Sequence, residues 1–170
     1  QAIPKSFNTA GPGYLAYIPG GGLFHTAVAD LITDAVNRYM GLWIAAPALV
    51  QIEATFIRWF WDLVGYPPFA RVILTTGGSL ANFSAVVTAR RERLPENFLS
   101  GTFYVSNQTH HSVQKAALLA GFPPANVRAI PVDAQFRVRV DVMEQQMGED
   151  RNAGFSPFLI VGNAGTTNTG

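Results

Sequence analysis

From Thr26 onward apolar residues recur at helical spacing: Val28, Leu31, Ile32, Ala35, Val36 and Tyr39 share one face, with Thr26 placed to cap the start and Gly41 to stop it. Before that stretch, Gly11, Gly13, Gly20, Gly21 and Gly22 together with Pro4, Pro12 and Pro19 break every regular period, so the first 25 residues read as an arm. A second helix is expected from Pro47, favoured in a first turn, through Trp59, Phe60 and Trp61 to Gly65, where Pro67 and Pro68 forbid continuation. After this the texture changes. Short apolar runs at Val72 to Thr75, Thr102 to Ser106, Val127 to Val132 and Phe158 to Gly162 alternate with helical stretches at Ser79 to Arg93, Ser112 to Ala120 and Val142 to Gly148. Such alternation predicts a parallel α/β sheet with ligands at the carboxyl ends of its strands. The expected division is an N-terminal arm with helices over 1–68 and a sheet-bearing part over 69–170.

Composition narrows the partners. With 48% hydrophobic and 14% charged residues among 170, and a formal net charge of +1, the chain has the make-up of a globular domain. It carries no Lys/Arg run that would track a phosphate backbone or an anionic membrane surface, so neither nucleic acid nor membrane is expected as a partner. Cysteine is absent, which excludes disulfides, thiolate zinc sites and cysteine nucleophiles, and fits a reducing compartment. Apolar stretches such as Leu42 to Val50 are too short to cross a bilayer, and the first eight residues lack the apolar core of a signal peptide. A cytoplasmic location is expected. The chain starts without Met and stops directly after a strand-like run, which reads as an excerpt of a longer protein.

Three stretches could carry chemistry. In Leu74-Thr75-Thr76-Gly77-Gly78-Ser79-Leu80-Ala81-Asn82 a strand-like run passes through two glycines and a hydroxyl into a helix. Free N–H groups at a helix start, the positive end of its dipole and a Ser hydroxyl suit a phosphate; the alternative is a tight turn with Ser79 as N-cap. The stretch lacks the Lys of a P-loop and the spacing of a dinucleotide fingerprint. In Ser106-Asn107-Gln108-Thr109-His110-His111-Ser112 a histidine sits at a strand's carboxyl end, suited to stacking on a flat ring or to acid–base work. Adjacent histidines are expected to diverge, so no metal site is expected, and His111 or Ser112 is read as a cap of the next helix. Asn163-Ala164-Gly165-Thr166-Thr167-Asn168 follows another strand and offers hydroxyls at the same edge. Elsewhere, Trp59-Phe60-Trp61 reads as core or subunit interface, Arg90-Arg91-Glu92-Arg93 as a solvated helix end, and Glu53 as either an interior or a surface acid.

Taken together these stretches resemble the group II pyridoxal-phosphate-dependent amino-acid decarboxylases, the family of aromatic amino-acid, glutamate and histidine decarboxylases. The resemblance rests on Pro12-Gly13-Tyr14-Leu15-Ala16-Tyr17-Ile18-Pro19-Gly20, the Ala45-Ala46-Pro47 turn with Glu53, Thr76 to Asn82, Gln108-Thr109-His110 with Lys115, and Ala164-Gly165-Thr166-Thr167. It implies a PLP-dependent transferase-like fold (fold type I), an α/β homodimer whose cofactor, pyridoxal 5'-phosphate, lies at the carboxyl edge of a large-domain parallel or mixed sheet. Within that resemblance Gly78 and Ser79 match the phosphate-binding positions. His110 matches the histidine that stacks on the cofactor ring and serves catalysis, and Thr167 lies in a motif touching that ring. Tyr17, Ile18, Pro19 and Gly20 match the arm that lines the substrate pocket; aromatic-specific members tend to carry a polar residue where this chain has Gly20. The implied reaction is decarboxylation of an L-amino acid to its amine, with transamination, an aldehyde-forming reaction or a non-catalytic fragment as alternatives. Neither Lys5 nor Lys115 fits the family's cofactor-bearing lysine. The resemblance places that lysine and the acid at the pyridine nitrogen downstream, so the 170-residue segment alone is expected to be inactive.

Overall fold

A computed structural model describes residues 3–15, 17, 20, 22–67 and 69–170. The chain divides into two compact units, Gln1–Leu74 and Thr75–Gly170.

The first unit carries α1 (Phe24–Val36) and α2 (Pro47–Val64). Helix α1 starts three residues before the sequence pattern suggested: Leu23 is the N-cap, and the Thr26 hydroxyl donates back to the Leu23 carbonyl at 2.6 Å instead of capping. It stops at Asn37, whose left-handed φ of 40° turns the chain out of the helix before Gly41 is reached. Helix α2 follows expectation, with Pro47 in its first turn and Gly65 at φ 70° closing it through a bond from its N–H to the Asp62 carbonyl. Among the described residues of this unit only Ala46 is buried. Apolar side chains of both helices, Ile32, Val36, Ile52 and Phe56 among them, line an open groove beside the half-buried Glu53. Trp59 and Phe60 are exposed, and Trp61 donates its indole N–H to the Tyr66 carbonyl at 2.6 Å, so this aromatic run is not a core of its own unit.

The second unit is α/β, with α3 (Gly78–Arg93), β1 (Gly101–Ser106), α4 (Ser112–Leu119), β2 (Val127–Ile130), α5 (Val140–Asn152) and β3 (Ser156–Val161). Its sheet is parallel, in the order β2-β1-β3. Every residue of β1 is buried, because both sheet faces are covered. Phe103 and Val105 pack with Val86 of α3, Val113, Ala116 and Ala117 of α4, and Phe122. Tyr104, on the opposite face, packs with Ile130 and Met143 of α5. Beneath α5 a buried network pins the helix to the sheet: the Tyr104 hydroxyl donates to Asp150 Oδ2 at 2.6 Å, and the Arg128 guanidinium forks onto the same carboxylate at 2.6–3.1 Å.

Four sequence expectations are corrected here. Residues 72–75 form no strand, since among the described residues no ladder partner pairs with them. Strand β2 stops at Ile130, before Val132, because Pro131 has no N–H to donate; Val132 instead bridges Val138 across a hairpin turned by Phe136 at φ 61°. Helix α5 runs through Gly148 to Asn152, extending at both ends beyond the Val142 to Gly148 reading, and is closed by Gly154 at φ 85°. Arg90 is not a solvated helix end: it donates to the Ala120 carbonyl beyond α4 and lies 4.3 Å above the Phe98 ring.

Candidate functional site

Because all three strands are parallel, their carboxyl ends share one edge of the sheet. The order β2-β1-β3 makes the chain leave β1 toward one side and return on the other, so a topological switch point falls between β1 and β3, where a ligand crevice is expected. The loops after these two strands are joined there. Thr109 Oγ1 donates to Asn163 Oδ1 at 2.6 Å, and Ser106 Oγ lies 3.2 Å from Thr109 Oγ1.

Helix α3 brings the third component. Its N-cap is Gly77, with no side-chain cap bond, and both Leu80 and Ala81 donate to the Gly77 carbonyl. Ser79 is therefore in the first turn and is not the N-cap. Among the described residues its exposed hydroxyl has no hydrogen-bond partner, and the first-turn N–H groups of Gly78 and Ser79 have no intrahelical acceptor. No acid occupies that turn, and a Cβ added at Gly77 or Gly78 would meet nothing within 4 Å. The backbone here is thus open to an approaching group, and the donors are of the kind an anion needs.

Asn82 stands three positions after Ser79 and so on the same face of α3. Its side-chain amide donates to Ser112 Oγ at 2.8 Å; that oxygen lies 2.8 Å from His110 Nδ1, and the Ser112 N–H also donates to His110 Nδ1, at 3.3 Å. The Ser79 face of α3 is thereby tied to the loop that presents His110. The His110 side chain is exposed while Ser112 is buried, so one edge of the imidazole is anchored and the remainder is accessible. The two histidine rings do not diverge as expected: their centroids are 4.2 Å apart at an interplanar angle of 40°, because His111 is the N-cap of α4, already in helical backbone conformation, and the Ser112 bonds turn the preceding His110 back toward the helix start. His110 beside it, then slight desolvation and Lys115, hold the His111 imidazolium below the usual histidine range. Among the described residues no group of three or more His, Cys, Asp or Glu side chains could hold a metal.

Thr167 sits half-buried in the loop after β3, at the same edge; that loop closes on itself through mutual backbone bonds of Thr166 and Gly170. Tyr17 and Gly20 belong to the first unit, where both are exposed and Tyr17 adopts φ 61°. Ile18 and Pro19 lie outside the described residues. The polar partners Asn82, Ser112 and Asn163 carry the local architecture, yet the candidate stretches in which they lie single out none of them for the site. The i, i+3 relation of Ser79 and Asn82 was the one signal that could have found the first of them.

A parallel α/β unit with a glycine-opened helix start and an anchored, accessible histidine at its switch point offers unpaired donors of the kind an anion needs beside an exposed ring. The chain belongs to the pyridoxal-dependent decarboxylase family, whose conserved domain matches residues 3–170. It is 36% identical over 159 residues to the aromatic-L-amino-acid decarboxylase of Bacillus atrophaeus, covering 94% of this chain and 33% of that protein. Similar solved structures include Oryza sativa TDC with PLP and tryptamine, at TM-score 0.83 and 28% identity over 98% of this chain and 39% of that one. Mouse CSAD in apo form is also similar, at TM-score 0.86 and 26% identity over 95% of this chain and 35% of that one. The chain spans about a third of the length of the curated relatives it matches.

Proposed function

We propose that this segment contributes the phosphate-holding and ring-facing part of a pyridoxal-phosphate-dependent decarboxylase, which converts an L-amino acid to its amine and carbon dioxide. The observation that carries this reading is the link from the open start of α3 through Asn82 and Ser112 to His110, which gathers unpaired helix-start donors and an accessible imidazole in one place. Gly78 and Ser79 would hold the phosphate through N–H and hydroxyl donors, His110 would lie against the ring, and Thr167 would approach it from the loop after β3. The cofactor's pyridine ring, when bound, supplies the electron sink for the bond to the departing carboxylate. The residues of this chain bind, orient and exclude alternatives; Tyr17, Ile18, Pro19 and Gly20 would line the substrate side. The protein is proposed to act as a cytoplasmic homodimer. Apolar side chains left exposed along α1 and α2 support subunit association, and the lack of cysteine suits a reducing compartment. No helix of the described residues is long and apolar enough to cross a membrane.

One relative, the phenylacetaldehyde synthase of Petunia hybrida, is 28% identical over 173 residues, which keeps aldehyde formation as a second reading. Product analysis with the intact protein separates the two: amine and carbon dioxide in equal amounts support decarboxylation alone, and aldehyde as main product refutes it. For the site itself, Ser79→Ala is expected to weaken pyridoxal-phosphate affinity by about tenfold to a hundredfold, the worth of one charge-assisted hydrogen bond. Equilibrium titration of the cofactor-free protein measures this, and an unchanged Kd removes Ser79 from the phosphate site.

A further inference from the structure

We infer that Asn82 and Ser112 are positioning residues that place the proton of the neutral His110 imidazole on Nε2, with its ring plane fixed at the sheet edge. A neutral imidazole has one donor and one acceptor nitrogen, and the partner of the first decides the state of the second. The Ser112 main-chain N–H points at His110 Nδ1 from 3.3 Å. A main-chain N–H can only donate, so Nδ1 carries its lone pair there and the proton resides on Nε2. The Ser112 hydroxyl, 2.8 Å from the same nitrogen, adds to this once its own direction is set. Asn82 sets it: the amide N–H arrives at Ser112 Oγ from 2.8 Å, occupying an acceptor lobe and leaving the hydroxyl proton to point at Nδ1. The order of donation is Asn82 to Ser112 to His110, and it ends with an Nε2–H facing outward.

The same bonds fix the ring's rotation. A half-turn about the Cβ–Cγ bond would bring a ring C–H against the Ser112 N–H and lose both bonds to Nδ1. Ser112 is 3% exposed, so water competes little for its groups, and Asn82 reaches it from a helix whose first turn is the proposed phosphate site. One element therefore both receives the anion and orients the imidazole. As a role in catalysis this rests on the decarboxylase reading; as a statement about the histidine it does not.

The test uses the intact protein freed of cofactor, with ring nitrogen-15 label in histidine and the His110 signals identified by their loss in His110→Gln. The expected wild-type spectrum shows a donor Nε2 and an acceptor Nδ1. In Asn82→Ala and in Ser112→Ala the ratio of the Nε2–H to the Nδ1–H tautomer is expected to fall by roughly threefold to tenfold, the equilibrium weight of one hydrogen bond. The double variant is expected to be no worse than the more severe single one, because the two residues act in series. Asn82 is half-buried, so its variant keeps the test decisive where Ser112→Ala fails to fold. In the cofactor-loaded protein the same variants should lower kcat with KM little changed. A wild-type Nδ1–H tautomer, or a ratio unmoved in the folded variants, overturns the inference. A correct tautomer response in a protein that decarboxylates no amino acid would leave it standing and refute the proposed function instead.

Discussion

His110→Ala in the intact protein is expected to lower turnover by about a hundredfold, the scale seen when one preorganised active-site group is removed, while His111→Ala should cost about threefold or less. The two rings touch, so proximity to the site does not distinguish them. What does is anchoring: His110 is bonded to Ser112, whereas no hydrogen bond to the His111 side chain exists among the described residues, and its ring is exposed. A group free to reorient loses its advantage in each encounter, while one already placed contributes without further ordering cost. The small effect expected at His111 is the loss of a neighbour that packs at 4.2 Å. Steady-state kinetics on the two variants, with cofactor content measured for each, decides the matter. Equal losses or the reverse order would sink the assignment of His110 to the cofactor face.

The largest stability effect is expected at Asp150. This carboxylate is 3% exposed and accepts from Tyr104 and from both faces of the Arg128 fork. Removing it strands a half-buried guanidinium and a buried phenol, so Asp150→Ala should destabilise the second unit by about 3–5 kcal/mol, the range for breaking a buried pair by deleting one partner. Asp150→Asn keeps the shape and tests the charge alone. The bond from Arg128 holds the Asp150 carboxyl below its ordinary value, opposed by desolvation and aided by Tyr104. Its folded pKa being lower than its unfolded one, the contribution is complete above the ordinary 3.8 and is lost as pH falls through the folded value. Burial and the bond to Asp150 push the Tyr104 hydroxyl up to about 12, so it stays a donor to the carboxylate across the working range. Urea unfolding at neutral and acid pH should show wild type and Asp150→Asn converging in acid. A wild-type stability that does not fall on acidification would contradict this account.

Local signals in the sequence reached the α/β character, the parallel sheet and, to within one residue, the start of α3, expected at Ser79 and found at Gly78. They did so because alternating apolar runs, Pro47 and the glycine pair act within a few residues of themselves. What they missed depends on partners remote in sequence. Whether residues 72–75 become a strand depends on a ladder neighbour, and apolar composition carries no record of one. Arg90 looked solvated among Arg91, Glu92 and Arg93 because nothing nearby reveals the Ala120 carbonyl thirty residues on. The divergence rule for adjacent histidines failed for a related reason: it holds for strands, and these two sit at a helix entry. In the site, residues with distinctive local motifs were legible, whereas Asn82 and Ser112 were ordinary polar letters until the fold brought them together. Thr167 and the arm residues Tyr17 to Gly20 remain assignments by family likeness.

Strand β1 is hydrogen-bonded on both sides and buried along its whole length, and the histidine loop grows directly from its end. Its amide protons can reach solvent only when the sheet itself comes apart, while those of the exposed turn around Phe136 in the same unit need only local opening. Deuterium uptake would therefore spread over very different timescales along one chain, slowest in the segment that leads into His110. The loop that carries His110 inherits its stillness from the least exchangeable backbone of the unit, so heat or denaturant should loosen the Phe136 turn well before it blurs that loop.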